Sequence, residues 1–307
     1  MIGFAVGRRS AEIGLVTVAA GWGLTFTLIQ DAVDSLPPTA FIAFRFLLAA
    51  LILGVPYARG LGTLSGSGWL AGGLLGLLLL GGYLFQTFGL VHTTASNAGF
   101  ITGLYVIFTP LLGWVALRQR LSGWAWSCVG VCAAGLFLLS GPGGGWHPFG
   151  DTLMLGCSVA LAAHILVTDW AVAHFPIGPL VTVQLTVCGV VALVVAIVSG
   201  DLMVPRGQQV WTALLFTAVV ASAIAYFIQS HVQVRTSPTR TSLILATEPA
   251  FAGVFGYLLA GDRLAPLAWL GAAVMILGIL MMEAKPVAPV RQRPCPSARV
   301  DPSEGLD

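Results

Sequence analysis

The feature that most limits the fold of this chain is a succession of long apolar stretches separated by short polar segments. Each stretch runs for about 17 to 24 residues, enough for an α-helix to cross a hydrocarbon core of ~30 Å. Only 8% of the residues are charged and 57% are hydrophobic, whereas a soluble domain carries roughly 25% charged residues. The chain therefore lacks the charges needed to cover a surface in water. These observations predict a helical membrane protein that crosses the bilayer several times.

The apolar stretches predict ten spans. They lie near residues 13–33, 39–57, 69–91, 97–117, 123–140, 149–170, 177–199, 210–234, 240–260 and 265–283. The first is too long for a removable signal peptide and lacks the small-residue cleavage pattern, so we interpret it as a retained span. Gly68, Gly72 and Gly76 stand at four-residue spacing, which favours close helix packing in lipid. Residues 1–12 are predicted to be a cytoplasmic N-terminus, and the Pro- and Arg-rich residues 284–307 a disordered cytoplasmic tail.

The two halves of the chain resemble each other. The segment YLFQTFGLVHTTASN from Tyr83 begins an alignment, in constant register and without a gap, with YFIQSHVQVRTSPTR from Tyr226. Upstream, in a slightly different register, LPPTAFIAFRFL from Leu36 aligns with FPIGPLVTVQLT from Phe175. Residues 13–140 and 149–283 are thus predicted to be two repeats of five spans. An odd number of spans inverts the second repeat relative to the first. The predicted fold is an all-α membrane protein with ten transmembrane helices in two inverted five-helix repeats.

The positions of the basic residues predict the orientation. Counted from a cytoplasmic N-terminus, only Arg206 and Arg263 fall outside. The basic residues that fall inside are Arg8, Arg9, Arg59, Arg118, Arg120, Arg235, Arg240, Lys285, Arg291, Arg293 and Arg299. The positive-inside rule then predicts that both termini are cytoplasmic. We expect an integral protein of a bacterial inner membrane.

Polar side chains within the spans are few, and the repeat pairs them. The aligned pairs are Thr25 with His164, Arg45 with Gln184, Gln86 with Gln229, and Tyr105 with Glu248. In inverted-repeat transporters, binding sites lie near the midplane between the repeats. If the halves enclose a common cavity, we expect such equivalent positions to line it.

Two charged residues lie deepest in the spans, and each has two interpretations. Arg45 either faces a cargo molecule or extends its long side chain to the membrane edge. Glu248 is followed by Pro249, which disfavours helical geometry at Glu248 and clashes with the carbonyl of Leu245. It is either a protonatable, cargo-contacting group at a broken helix or a neutral acid that bonds the loosened turn. Direct pairing of Arg45 with Glu248 stays open, because the sequence does not show whether their helices adjoin.

The remaining polar and aromatic candidates also have a structural alternative. His164 either titrates near neutral pH or is satisfied between helices. The amide side chains of Gln86, Asn97, Gln184 and Gln229 either contact cargo or bond neighbouring helices. Aromatic side chains either line a cavity or pack between helices. The predicted cargo-binding residues are Trp22, Thr25, Arg45, Tyr83, Gln86, Asn97, Tyr105, His164, Gln184, Tyr226, Gln229 and Glu248.

The sequence lacks the motifs of several functional classes. The single lysine, Lys285, precedes Pro286, so the chain has no phosphate-binding P-loop. H-E-x-x-H, G-x-S-x-G and zinc-spaced cysteine pairs are absent too. We therefore expect neither an enzyme nor a bound metal or cofactor. An intramembrane enzyme acting on a lipid-linked phosphate, and a passive channel or lipid-handling protein, stay as alternatives.

Three segments carry a family resemblance. Residues 22–53, 93–114 and 244–264 resemble the EamA-type branch of the drug/metabolite transporter superfamily. The resemblance implies ten helices in inverted repeats, and export or exchange of small metabolites such as amino acids and amines. It also implies a role for Arg45, for the Glu248–Pro249 pair, and for cavity aromatics at Trp22, Tyr83 and Tyr105. The chain departs from the family at Arg240 and Thr241, where many second repeats carry small apolar residues.

Together these features predict a secondary transporter of small polar metabolites. It would work by alternating access around a midplane cavity, as an exporter or exchanger. Its expected partners are a small-molecule cargo and the lipid bilayer, with protons as the candidate coupling ion and no nucleic acid. The sequence does not identify the cargo or the oligomeric state.

Overall fold

The computed structural model describes residues 8–33, 35–90, 92, 101–118, 122–140, 148–255, 258 and 266–284. Within these ranges the chain is helical and contains no β-strand. The helices are α1 (Arg8–Val33), α2 (Pro38–Leu61), α3 (Gly66–Leu90), α4 (Tyr105–Leu117), α5 (Gly123–Ser140), α6 (Pro148–Val172), α7 (Ile177–Val198), α8 (Gln208–Gln233), α9 (Pro238–Leu245), α10 (Glu248–Phe255) and α11 (Pro266–Ala284). The architecture is therefore that of an all-α protein, as the sequence predicts.

Prolines and left-handed residues set several helix ends. Pro38 and Pro238 are the first residues of α2 and α9. A proline fits there because its missing N–H has no partner in the first turn anyway. Arg118 ends α4 with φ 51°, and Gly207 precedes α8 with φ 87°. These local features mark the starts of α2, α8 and α9 and the end of α4.

Five of the described helices are long and apolar enough to cross a membrane. They are Pro38–Leu61, Gly66–Gly89, Pro148–Val172, Ile177–Val198 and Gln208–Gln233. Shorter apolar helices cover Glu12–Thr25, Ile101–Ala116, Gly123–Leu138 and Trp269–Gly278. Large apolar side chains such as Leu70, Val55 and Val198 are more than two-thirds exposed. Exposure of this kind fits a surface in contact with lipid rather than water.

The two halves of the chain pack across each other. Helix α2 runs along α7, and α5 runs along α11. Helix α3 packs against α6 and α7, while α8 packs against α1 and α2. Helix α4 contacts α6, and α10 contacts α1. The core is therefore built from interdigitated halves, not from two separate bundles.

Glycines permit the closest of these contacts. Gly72 and Gly76 face α7, where an added Cβ would lie 2.7 Å from Val183 and 2.6 Å from the carbonyl oxygen of Gln184. Gly68 is equally close to Leu64 and lies near Phe175. The close helix packing predicted for these glycines is confirmed for Gly72 and Gly76, whereas Gly68 packs against Leu64 and Phe175, which lie outside the helices.

Helical hydrogen bonding is interrupted at two equivalent places. Residues 101–103 are helical, Leu104 is a turn, and α4 starts at Tyr105. Likewise α9 ends at Leu245 and α10 starts at Glu248. In both turns an amide bonds the carbonyl three residues earlier, Leu104 to Ile101 and Thr247 to Ile244. Leu104 and Thr247 are aligned with each other in the register that pairs Tyr83 with Tyr226.

Helix α8 contains a different irregularity. Its segment Val219–Ile224 is a π-helix. In a π-helix each N–H bonds a carbonyl five residues away, and such turns are frequent at functional sites. This segment faces α1 and α2.

Candidate functional site

Arg45 is held inside the protein by α3 and α8. Its side chain is only 2% exposed. The Nε donates to the hydroxyl of Ser222 at 2.8 Å. The Nη2 donates to the hydroxyl of Tyr83 at 3.1 Å and to the carbonyl of Ala221 at 3.2 Å. The guanidinium therefore does not extend to the membrane edge, and the snorkelling interpretation is wrong for this structure.

The π-helical segment supplies two of these acceptors. Ala221 and Ser222 both lie within Val219–Ile224. The Ala221 carbonyl also accepts a hydrogen bond from Nε1 of Trp22 at 2.7 Å. One backbone oxygen thus joins α1, α2 and α8. The irregular turn is where the helix presents polar groups to its neighbours.

Aromatic rings surround the guanidinium. Its Cζ lies 4.8 Å from the ring centroid of Tyr83, a distance at which a cation is attracted to the ring face. The hydroxyls of Tyr83 and Tyr226 are 3.2 Å apart. The Tyr226 ring lies 5.5 Å from Trp22 and 5.7 Å from His164, measured between ring centroids. Tyr226 therefore separates the Arg45 side from the His164 side.

The His164 side is also polar. His164 Nε2 lies 3.3 Å from Oε1 of Gln184, and both residues are buried. Gln184 is the repeat equivalent of Arg45, so the two halves are chemically different at this position. The Gln184 amide nitrogen has no hydrogen-bond partner within the described residues. If the Gln184 side-chain amide is flipped, its nitrogen faces His164 and its oxygen is the atom left without a partner.

A glutamine pair continues this polar side. Gln229 donates to Gln233 at 3.0 Å, and Gln233 donates to the carbonyl of Ile165 at 2.8 Å. Gln229 Oε1 is buried without a partner in the described part of the chain. Gln229 thus bonds within α8, and it is Gln233 that joins α8 to α6.

Glu248 stands at the break in the ninth predicted span. The break falls at residues 246–247, and Glu248 is the first residue of α10. Pro249 therefore occupies an early helical position that suits proline, and the expected loss of helical geometry falls before Glu248 instead of on it. Glu248 keeps partial exposure within the protein, and its carboxylate oxygens are not enclosed polar atoms. The carboxylate thus keeps some solvent access.

Arg45 and Glu248 act on each other without touching. The charge of Arg45 attracts Glu248. Among the described residues, no ion pair with an N···O distance within 4.0 Å joins them. Tyr105, the repeat equivalent of Glu248, also interacts electrostatically with that carboxylate. The Tyr105 hydroxyl is buried without a hydrogen-bond partner in the described ranges.

The other predicted residues are less involved. Thr25 is buried and bonds the carbonyl of Trp22 in its own helix at 2.6 Å. Gln86 is half-buried near the end of α3. Asn97 lies outside the described residues. Sequence reasoning missed Ser222, because a serine in an apolar helix is unremarkable.

A buried ion pair was also missed. Nη2 of Arg240 lies 2.5 Å from Oε1 of Glu12. Glu12 is 8% exposed and Arg240 6%. The pair joins the start of α1 to α9. Arg240 is thus part of a helix interface.

Comparison with known proteins identifies the family. The sequence pattern of the EamA-like transporter family matches residues 9–141 and 148–283. The chain belongs to this family. As a member, it is similar over 91% of its length to an "Uncharacterized transporter" of Archaeoglobus fulgidus, with 30% identity and 88% of that protein covered.

More distant EamA relatives have similar lengths. The "Uncharacterized inner membrane transporter YedA" of Escherichia coli is 26% identical, with 88% of this chain and 92% of that protein covered. A crystal structure that is 18% identical superposes with a TM-score of 0.78, covering 91% of this chain and 98% of that one. The likeness to this structure extends over nearly the whole fold. The chain is therefore a membrane protein of a transporter family.

Proposed function

We propose that this EamA-family protein is a secondary transporter of small molecules that carry both a carboxylate and an ammonium group. One observation carries the proposal: Arg45 and Glu248 attract each other, yet no ion pair joins them. Arg45 Nη1 makes no hydrogen bond within the described residues and is not an enclosed polar atom. The Glu248 carboxylate also keeps some solvent access. A molecule between them satisfies one charge at each end.

The charges decide the class of cargo. A buried charge is costly unless a counter-charge or hydrogen bonds compensate it. Arg45 and Glu248 together have no net charge, so a cargo of zero net charge with separated ends fits best. An amino acid has this form. Export or exchange of amino acids and related amines is therefore the proposed activity, in agreement with the expectation from the family resemblance.

Alternating access is supported by unequal burial of the two halves of the ninth span. All eight residues of α9 are buried, whereas α10 has no buried residue. Helix α9 is joined to the start of α1 by the Glu12–Arg240 ion pair. We infer that the described state is closed at the face where α1 begins. Transport requires a second state in which this face opens.

An inverted two-fold repeat is supported by contacts between equivalent residues. Tyr83 bonds Tyr226, and the thiol of Cys132 bonds the carbonyl of Met275. Both pairs are separated by 143 residues, the offset at which the halves align. Residues related by a two-fold axis touch each other only near that axis. We therefore propose ten crossings in two inverted halves, with the axis passing near both contacts.

Glycines at the α5–α11 interface follow the same relation. A Cβ on Gly135 would lie 2.7 Å from the Met275 nitrogen, and one on Gly278 would lie 3.2 Å from the Cys132 nitrogen. Gly135 and Gly278 are themselves aligned in the register that pairs Cys132 with Met275. Gly135 faces Met275, and Gly278 faces Cys132. The repeat relation exchanges these two contacts with each other.

The topology has a direct test. We expect reporter fusions after Lys285 to read cytoplasmic, and fusions near Gly143 to read external. The physical reason is the excess of arginine on one side of the predicted spans. Both fusion sites reading on the same side would contradict the inversion, since five predicted spans lie between them.

The cargo proposal is tested with matched compounds. A ligand that binds the folded state raises the unfolding temperature of the purified full-length protein. We expect stabilisation by a neutral L-amino acid such as L-leucine. L-Leucinamide, which lacks the carboxylate, and 4-methylpentanoate, which lacks the amine, should stabilise the protein much less. The other neutral amino acids are compared in the same way. If none of them raises the unfolding temperature, the proposal is contradicted.

Variants of Arg45 extend this test. Arg45→Gln should weaken the apparent affinity for the best amino acid by at least about tenfold, because a charge-assisted hydrogen bond is lost. Arg45→Lys keeps the charge but cannot reproduce the three bonds of the guanidinium, so we expect it to weaken binding as well. Arg59→Gln is the control, because Arg59 is exposed at the end of α2. Unchanged binding in Arg45→Gln would remove Arg45 from the site.

A further inference from the structure

The π-helical turn in α8 corresponds to one additional residue in the second repeat. The interval from Trp211 to Tyr226 in α8 is one residue longer than the interval from Trp69 to Tyr83 in α3. The two tryptophans are similarly exposed, at 48% for Trp69 and 46% for Trp211. The π-helix at Val219–Ile224 lies between Trp211 and Tyr226. A π-turn accommodates an inserted residue while the helix on either side keeps its facing.

The insertion makes the two halves of the central site different. Helix α3 is an uninterrupted α-helix, and in the register that pairs Tyr83 with Tyr226 the equivalent of Ser222 is Leu79. Leu79 belongs to the apolar core. Only the second repeat therefore offers a carbonyl and a hydroxyl from this turn. It offers them to Arg45, the residue that has no charged counterpart in the other half.

The partners of Arg45 fix which nitrogen stays open. A guanidinium has five N–H donors. Nε bonds Ser222, and Nη2 bonds Tyr83 and Ala221. The protein thus uses three donors. They lie on the Nε–Nη2 edge, which would otherwise be free to form a bidentate contact with a carboxylate. The remaining two donors are both on Nη1.

We propose that Ser222 and the π-turn are the positioning elements of the binding site: they turn the Arg45 guanidinium so that Nη1 alone faces the cargo. Ser222 does not contact the cargo itself. A carboxylate then binds through one nitrogen, and a phosphate or other dianion is disfavoured because the Glu248 carboxylate, which interacts with Arg45, repels additional negative charge. The inference that Nη1 receives a carboxylate rests on the proposed function. The inference that Ser222 orients Arg45 is independent of the proposed function.

The orientation of Arg45 has a test that needs no cargo. Phenylglyoxal reacts with guanidinium groups, and mass spectrometry measures its addition at each arginine of the purified full-length protein. A guanidinium fixed by three hydrogen bonds reacts slowly. We expect Ser222→Ala to accelerate modification of Arg45 by about tenfold, the effect of losing one hydrogen bond to a charged group. Ser222→Thr keeps the hydroxyl and should stay within about twofold of the original rate.

Controls separate positioning from loosening of the fold. Ser242→Ala removes another fully buried serine, whose hydroxyl bonds the carbonyl of Thr239 within its own turn, and should leave Arg45 modification unchanged. The exposed Arg59 is an internal standard in every variant. Equal Arg45 rates in the original protein and in Ser222→Ala would overturn the proposal. So would equal acceleration by Ser222→Ala and Ser242→Ala.

A binding measurement then examines specificity. With L-leucine or the best amino acid as probe, Ser222→Ala should raise the apparent Kd about tenfold, while the matched amide should bind as before. Faster Arg45 modification without stabilisation by any amino acid would refute the proposed cargo and leave the positioning role standing. Amino-acid binding that depends on Arg45 but is unaffected in Ser222→Ala would refute the positioning role alone.

Discussion

Vesicles that contain Glu248→Gln are expected to bind cargo more weakly, because the counter-charge of its ammonium group is lost, and to lose transport driven by a pH gradient. Glutamine keeps the shape of the side chain and its capacity for hydrogen bonds, but it cannot take up or release a proton. Glu248 is partly exposed at the start of α10, and Arg45 attracts it without forming a direct pair. A carboxylate in that setting can change its charge when cargo enters or leaves.

The measurement is uptake of a radiolabelled amino acid into vesicles at several pH values, with and without a proton gradient. In the original protein the rate should change with pH. In Glu248→Gln the rate should be insensitive to pH, and exchange of internal for external cargo should persist. Thermal unfolding of the purified variant verifies that it is folded. A pH profile identical to that of the original protein would exclude the coupling role of Glu248.

Loss of the Glu12–Arg240 pair should have the largest effect on stability. The two side chains are 8% and 6% exposed, and their closest atoms are 2.5 Å apart. Removing one partner of a buried ion pair costs about 3–5 kcal/mol, because the other charge stays buried. We therefore expect Arg240→Gln to lower the unfolding temperature clearly. Arg59→Gln, which removes an exposed arginine, should have little effect.

The same variant should alter the closed face. Helix α9 contacts α1, and the ion pair is the charged part of that contact. Faster hydrogen exchange is expected in peptides that cover 238–247 of Arg240→Gln. The charge-reversed double variant, Glu12→Arg with Arg240→Glu, should recover part of both losses. Failure of the double variant to improve on either single change would show that the pair itself is not what stabilises this face.

The sequence was sufficient for the all-helical class and for the family. Both depend on span length and on weak motifs distributed along the chain, and these features are visible in the sequence itself. It also named Arg45, Tyr83 and Tyr226 as candidates for a cargo site, but it left Arg45 between the interior and the membrane edge, and only the structure shows that the guanidinium is buried. The ten-crossing inverted arrangement stays a proposal, supported by contacts between equivalent residues.

The partners of these residues were not predictable. The bond from Arg45 to Ser222 depends on a turn created by one additional residue, and only the packing of α2 against α8 reveals what that turn faces. Glu12 and Arg240 are distant in the chain, so no local pattern links them. The break was expected at Glu248 because of Pro249, but its placement before Glu248 depends on the hydrogen bond between Ile244 and Thr247.

The contact between the hydroxyls of Tyr83 and Tyr226 has a mechanical consequence. In a protein of two inverted halves, exchanging the shapes of the halves converts a state open on one side into a state open on the other. This exchange is a two-fold rotation, and a rotation does not move points that lie on its axis. In the proposed two-fold arrangement, the contacts on the axis are Tyr83 with Tyr226 and Cys132 with Met275, and they would be the same before and after. They would then form a fixed pivot about which the two halves rock.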